Sequence, residues 1–384
     1  MSTNNTQNNT NPSQFTRQRG GKQDLKYWIG FTKIPSIGPQ RFNKLIKTFD
    51  DLKQAWEAPI VALEQAGLED NVVAEIIRMR TEINLDQELE KLEKESVSVI
   101  TVGDEDYPKL LKEIYSPPPV IYYRGTLPSD DDFLLAVVGT RKFSQYGKQV
   151  TEMIVSDLAR NGITIVSGLA LGIDSIAHNA TLDANGKTIA VLGCGIEKTN
   201  IYPSSNRFLS EKIIELGGCI ITEHPIATPP LKQHFPRRNR LISGLSLGTL
   251  VIEAPEKSGA LITARNSLEQ DREVFAVPGN ITSANSEGVN NLIKMGAHPV
   301  LNAADILDVL NLKEATEFLQ ASEIVPDTGE EAKILDHLTR EPVHIDELTR
   351  LTDLSVQDIN ATLTLMDMKG KVKHLGSMKY VLAR

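Results

Sequence analysis

Between residues 134 and 276 the chain repeats one unit: a short apolar run, nearly always a glycine-bearing loop, then a helical pattern. The runs fall at 134–138, 164–166, 188–192, 219–222, 249–253 and 273–276. Short, largely apolar runs alternating with helical patterns at this regularity build a parallel α/β sheet. The fold class expected is therefore α/β, with an extended Rossmann-like parallel sheet as its core. Ligands of such sheets bind outside the carboxyl ends of the strands, so the glycine-bearing loops are where function is sought.

The flanks read differently. Residues 1–23 are polar, repetitive and poor in aromatics, too weakly hydrophobic to offset chain entropy, and a disordered tail is expected. Residues 24–84 carry helical periodicity broken by Ile34-Pro35-Ser36-Ile37-Gly38-Pro39, which predicts a small all-helical domain; it looks SAM-like or helix-hairpin-helix-like, with packing and phosphate binding weighing equally at the turn, where Ser36 replaces the usual glycine. The Rossmann-like domain is assigned to 85–312, opening with a helix over 85–95 and strands over 97–102 and 120–123. A linker over 313–329 leads to a winged-helix domain over 330–384, its wing at 371–375 and 379–382.

With 384 residues, two or three domains are expected. No run of eighteen apolar residues occurs and the N-terminus has no apolar core, which predicts a cytoplasmic protein without a membrane span. The two cysteines, Cys194 and Cys219, sit beside glycines in apolar runs and suit reduced core positions, not a disulfide or a metal site. A net charge of −9 argues against coating nucleic acid with the whole surface, so phosphate binding needs a local patch.

Such patches lie in the loops. The first strand ends in Gly139-Thr140-Arg141, followed by Lys142 and Lys148, with no acidic residue from 134 to 151. A phosphate there would meet cations and helix N-terminal amides together. The next loop, Ser167-Gly168-Leu169-Ala170-Leu171-Gly172-Ile173-Asp174, is small enough for backbone amides to approach a ligand; Asp174 and His178 one turn on are read as a cap and a packed histidine. The third loop carries Gly193-Cys194-Gly195 and Lys198. The strongest feature is Lys232-Gln233-His234-Phe235-Pro236-Arg237-Arg238-Asn239-Arg240, in a stretch with no Asp or Glu between Glu223 and Glu253. Phe235 offers a face for base stacking and Arg238, Asn239 and Arg240 offer donors to phosphates or base edges. Ser258-Gly259, opening a helix, adds a further anion seat. Neither a P-loop nor a dinucleotide fingerprint is present: Gln149 stands where the P-loop hydroxyl belongs, and Arg141 where the second fingerprint glycine belongs. No cofactor is expected.

Taken together, Tyr107-Pro108, Gly139-Thr140-Arg141, Ser167-Gly168-Leu169-Ala170, Gly172-Ile173-Asp174, Ala177-His178, Tyr202-Pro203 with Asn206, Phe235 through Arg240, Ser258-Gly259 with Ile262-Thr263-Ala264, and Val277-Pro278-Gly279 make the chain resemble the DNA-processing protein A (DprA, or Smf) family. The resemblance spans the whole α/β core in the family's order. It implies a non-enzymatic protein that binds single-stranded DNA, dimerises through its Rossmann-like domain and loads the recombinase RecA in natural transformation. Carried over, Arg141 and Lys232 would be the main phosphate contacts and Phe235 a stacking residue. Ser167, Gly168, Asn239 and Arg240 would complete the pocket. Family members often carry lysine after the Tyr-Pro pair; Ser204 stands there in this chain, which shifts weight onto Lys198.

Two rival readings stand beside this one. Rossmann-like phosphoribohydrolases use an arginine and a glutamate near a glycine-rich loop, which Arg141 and Glu253 would mimic. A nucleotide-sensing adaptor would bind a small ligand and signal through its winged helix. The presumed recognition helix of that domain, 355–369, contains Asp358 and Asp367 and no cation until its end, so contact with protein, or only weak contact with DNA, is expected of it.

Overall fold

The computed structural model describes residues 22–130, 132–312, 326–338, 342–352, 354–376 and 378–382. The expected tail, up to residue 21, and most of the expected linker, 313–325, lie outside the described residues. The chain divides into two compact units that part between Ile306 and Leu307.

In the first unit, helices α1 (Lys22–Thr32), α2 (Pro39–Thr48), α3 (Leu52–Glu57), α4 (Ile60–Gln65), α5 (Asp70–Glu82) and α6 (Leu85–Lys94) precede strand β1 (Ser98–Thr101), helix α7 (Lys109–Lys112) and strand β2 (Val120–Gly125). The α/β alternation follows as β3 (Leu134–Val138), α8 (Gln145–Arg160), β4 (Thr164–Ser167), α9 (Ile173–Asp183), β5 (Thr188–Val191), α10 (Arg207–Glu215) and β6 (Cys219–Thr222). It continues as α11 (His234–Gly244), β7 (Gly248–Val251), α12 (Gly259–Glu269), β8 (Glu273–Ala276), α13 (Glu287–Lys294) and β9 (His298–Pro299), and the division between the units falls within α14 (Ala303–Val309).

The sheet order is β1-β2-β6-β5-β4-β3-β7-β8-β9. From β6 to β9 the pairing is parallel; β2 joins β6, and β1 joins β2, antiparallel. The central strand β3, Leu-Leu-Ala-Val-Val, is buried at every position, as a two-sided environment requires. From β3 the chain winds outward through β4, β5 and β6, then returns to the other side of β3 as β7 and winds the opposite way to β8 and β9. The reversal opens a crevice between the loops that follow β3 and β7, where open α/β sheets bind their ligands.

Strand alternation sorts the core onto the two sheet faces. Val120, Tyr122, Ala190, Leu192 and Ile220 join one cluster; Ile121, Ile189, Val191 and Ile221 join the other. The first cluster continues without a break into Phe31, Phe42, Leu45, Leu63 and Ile76 of the N-terminal helices. Thr32 and Tyr122 share a 2.6 Å hydroxyl contact across this junction, and Lys33 bonds Glu88 at 2.5 Å. These helices thus cover one sheet face as part of the core.

The second unit holds α15 (Gly329–Leu335), β10 (Val343–His344), α16 (Ile345–Thr352), α17 (Val356–Met368), β11 (Val372–His374) and β12 (Lys379–Leu382), with strand order β10-β12-β11. Ile334, Leu348, Ile359, Leu363 and Met366 form its core. Strand β10, two residues long, is too short for a sequence pattern and was not among the elements expected.

Candidate nucleic-acid interface

The crevice at the strand reversal is a groove of about 360 Å3. Gly139 and Arg141 after β3, Ala170 and Asp174 around the loop after β4, Lys232, and Gly259 and Thr263 at the start of α12 all line it. Helix α11 contributes Phe235, Arg238, Asn239 and Ile242, spaced so that they share one helical face. A narrower recess continues the groove between Leu171, Tyr202, Pro203 and Phe235. The basic island expected in a loop is therefore mostly helical, and helical phase divides its residues among different surroundings.

Arg141 and Lys232 are exposed, with no carboxylate in ion-pair reach among the described residues. Arg141 owes its place to Gly172, which adopts φ +84°; a Cβ there would lie 2.4 Å from the Thr140 carbonyl and 2.7 Å from the Arg141 Cα. Only glycine lets the start of α9 pass this close to the β3 loop.

Arg238 is a different kind of cation. It is 4% exposed, donates to Gly168 O at 2.8 Å and to Val191 O, and faces the buried carboxylate of Asp174. Burial lowers its pKa to about 10, which leaves it charged at neutral pH. Asp174 accepts from the Gly168 and Ala170 amides at 3.1 and 3.4 Å; burial raises its pKa against the pull of Arg238 and those two amides. Asn206 donates to the carbonyls of Leu169 and Ala170 at 2.8 and 3.3 Å. The loop after β4 is thus held from three directions, a rigid wall for the recess.

Several expected site residues are placed away from the groove. Ser167 is fully buried and its hydroxyl donates to Val137 O at 2.7 Å, so it supports the floor. Gly168 lines the recess, but its amide is engaged by Asp174 and is not offered to a ligand. Arg240 is locked to the carboxylate of Glu223 and to Ser116 O; Glu223, the residue that bounds the acid-free stretch in sequence, folds back onto that stretch. Arg237 is exposed, outside the groove lining, and acts electrostatically on the same Glu223. Lys142 is exposed beside Asn285, Lys148 pairs with Glu152 at 3.7 Å, and Lys198 lies near Glu211. Ser258 caps α12 by accepting from Ala260 N at 3.3 Å, leaving Gly259 to face the groove. Asn239 lines the groove and donates to Gly259 O at 3.2 Å, tying α11 to the start of α12.

Asp174 does not cap α9 from the N-cap position, which is Gly172, and His178 bonds Thr188 Oγ1 at 2.7 Å. Burial lowers the His178 pKa to about 3, a neutral core histidine. Glu253 is 2% exposed and accepts from Ser144 N and Oγ at 2.9 and 2.5 Å. It lines a separate cavity with Tyr146, Pro278 and Asn280, so the arginine–glutamate pair of the hydrolase reading is not assembled in one cavity.

Residue types alone did not single out Tyr202, Leu171 or Ile262 as groove residues. The Tyr202 ring lies 5.5 Å from Phe235, tilted by 43°. Tyr202, Leu171 and Ile262 are 47%, 48% and 39% exposed, an apolar rim on a cationic groove. Their signal is exposure of large apolar groups, which periodicity does not reveal. At the N-terminal hairpin, Glu75 accepts from Ser36 N at 3.2 Å, which engages an amide that a phosphate would otherwise use. In the winged-helix unit, Lys369 and Lys371 bond Asp327 and the 2%-exposed Glu331, and Asp358 joins the Ser355 cap of α17.

No helix among the described residues is long and apolar enough to cross a membrane. Comparison with known proteins places the chain. The family described as DNA recombination-mediator protein A matches residues 98–311, and the DprA winged helix domain matches 320–377. Protein Smf of Synechocystis sp. is 36% identical over 391 aligned positions, covering 92% of this chain and 98% of that protein. The X-ray structure of DNA processing protein A from Streptococcus pneumoniae superposes with a TM-score of 0.64 at 35% identity, covering 74% of this chain and 97% of that one. A Helicobacter pylori DNA processing protein A, whose structure is described for its single-stranded DNA binding mode, gives 0.50 at 31% identity over 56% of this chain and 96% of that one. With its α/β core and its winged helix both matched, the chain belongs to the DNA recombination-mediator protein A family, the DprA or Smf proteins.

Proposed function

We propose that this protein binds single-stranded DNA without sequence preference in the groove at the strand reversal and passes the strand to a RecA-type recombinase, without itself catalysing a reaction. The observation that carries the reading is the meeting in one groove of two cations without an ion-pair partner among the described residues, Arg141 and Lys232, with two neighbouring rings, Tyr202 and Phe235, and the N-terminus of α12. Cations and helix-end amides hold phosphates irrespective of sequence, and aromatic faces stack any base. The single-stranded DNA binding of the Helicobacter relative supports the ligand, and the family's description as a recombination mediator supports the hand-over. A homodimer through the Rossmann-like domain, working in the cytoplasm, would join two modest sites into one tighter assembly.

Anisotropy titration of a labelled oligothymidylate tests this. Arg141→Ala and Lys232→Ala are each expected to weaken binding to all sequences alike. With two side-chain phosphate contacts and one at the helix end, the log–log salt slope per site should be about −2, from roughly −0.7 per contact on single strands. Unchanged affinity in both variants would remove the basis of the proposal. RecA transfer is tested separately, by RecA filament formation on strands already coated with single-strand-binding protein, with and without this chain.

A further inference from the structure

The groove accounts for Tyr202 and Phe235 but not for the aromatic residue just beyond them. Phe208, the second residue of α10, is 80% exposed. Such exposure is unusual for a ring on an otherwise amphipathic helix, whose Leu209 and Ile213 are buried against the sheet. The end of α10 that carries it is fastened to the groove wall. Asn206, two residues earlier, is buried and bonds the carbonyls of Leu169 and Ala170, and Ala170 lines the groove itself. Four residues before Asn206, Tyr202 forms part of both groove and recess. Arg207 donates to Thr199 O, which draws the exposed Lys198–Thr199 segment beside the start of the same helix. On this side of Tyr202 a solvated ring and two cations, Lys198 and Arg207, therefore gather at the start of α10. Glu211, which feels the charge of Lys198, is already held by Arg124 at 2.9 Å.

We infer that this rim is a second nucleotide subsite, in which a strand leaving the groove across Tyr202 stacks one further base on Phe208 while Lys198 and Arg207 hold the adjoining phosphate. The inference rests on the proposed strand-binding role of the groove and extends its footprint. It also gives Lys198 a role outside the groove, in the adjoining subsite. An exposed aromatic face with cations at hand is the physical form of a sequence-tolerant stacking platform.

The test compares oligothymidylates of two lengths on the full chain by anisotropy: one of about five nucleotides, enough for the groove, and one of about fifteen, enough to reach past Tyr202. Phe208→Ala should weaken the longer oligonucleotide about tenfold, the scale of one lost base–aromatic stack, and change the shorter less than about twofold. Phe208→Trp should restore the longer-strand affinity. Because Phe208 packs against little, its removal leaves the fold intact, and an unchanged melting profile verifies this. Equal loss on both lengths, or no loss on either, overturns the second subsite. Arg141→Ala separates this from the groove reading: it should weaken both lengths, and if it weakens neither, the groove itself is wrong.

Discussion

Arg238 and Arg141 are both groove arginines, but one is buried and the other exposed, and their alanine variants should fail in opposite ways. Arg238 is enclosed, faces the buried Asp174, and supplies donors to the carbonyls of Gly168 and Val191. Its removal leaves a buried carboxylate without its counter-charge and two buried carbonyls without that donor. Breaking one side of a buried charge pair costs about 3–5 kcal/mol, because the remaining charge stays desolvated. For a unit of this size each kcal/mol moves the melting temperature by about 2 °C, so Arg238→Ala should lower the apparent Tm of the first unit by about 6–10 °C. Arg141, exposed and unpaired, should leave the Tm within about 1 °C when changed to alanine, as surface substitutions usually stay within about 0.5 kcal/mol. Differential scanning fluorimetry beside anisotropy reads both quantities. A melting temperature for Arg238→Ala equal to that of the unaltered protein, with DNA affinity lost, would refute the reasoning and return Arg238 to the role of a direct phosphate contact.

Other outcomes follow from the same contacts. Gly172→Ala should both destabilise the protein and weaken DNA binding, since the new Cβ meets the Thr140 carbonyl at 2.4 Å and displaces the backbone of Arg141; a crystal structure or Tm and affinity matching those of the unaltered protein would contradict this. Burial alone would raise the pKa of Glu331, but the Asp327 amide and the Lys369 and Lys371 ammoniums outweigh it and hold the carboxyl at about 2. Because the folded value lies below the unfolded one, this carboxylate stabilises the winged-helix unit above about pH 4.5, and that contribution is lost as pH falls toward 2. The methyl resonance of buried Met366, followed in acid on the full chain, should lose dispersion in that window, and Glu331→Gln should flatten the dependence. Lys232→Ala should lower the salt slope for oligothymidylate by about 0.7 without a Tm change; an unaltered slope would show that Lys232 meets no phosphate.

Much of the architecture was legible in the sequence because each feature is local. The strands at 134–138, 219–222 and 273–276 coincide with β3, β6 and β8, since short apolar runs alternating with helical patterns admit little else. The wing strand at 379–382 and the helical N-terminal region were readable from equally local patterns, the latter from helical spacing of its apolar residues. What local pattern does not contain is the partner of each side chain. An acid-free stretch marked 224–252 as a cationic island, yet Glu223 returns through space to neutralise Arg240, and helical phase buries Arg238 while Phe235 and Asn239 share its groove face. Lys232 and Arg141, some ninety positions apart, become neighbours of one groove only because the chain crosses back over β3 to place β7 beside it. The sequence by itself determined the residues able to carry charge and the sheet they would edge; the tertiary structure decided which charges stay free, because a charge is available to a ligand only where no carboxylate or carbonyl from a distant segment has reached it first.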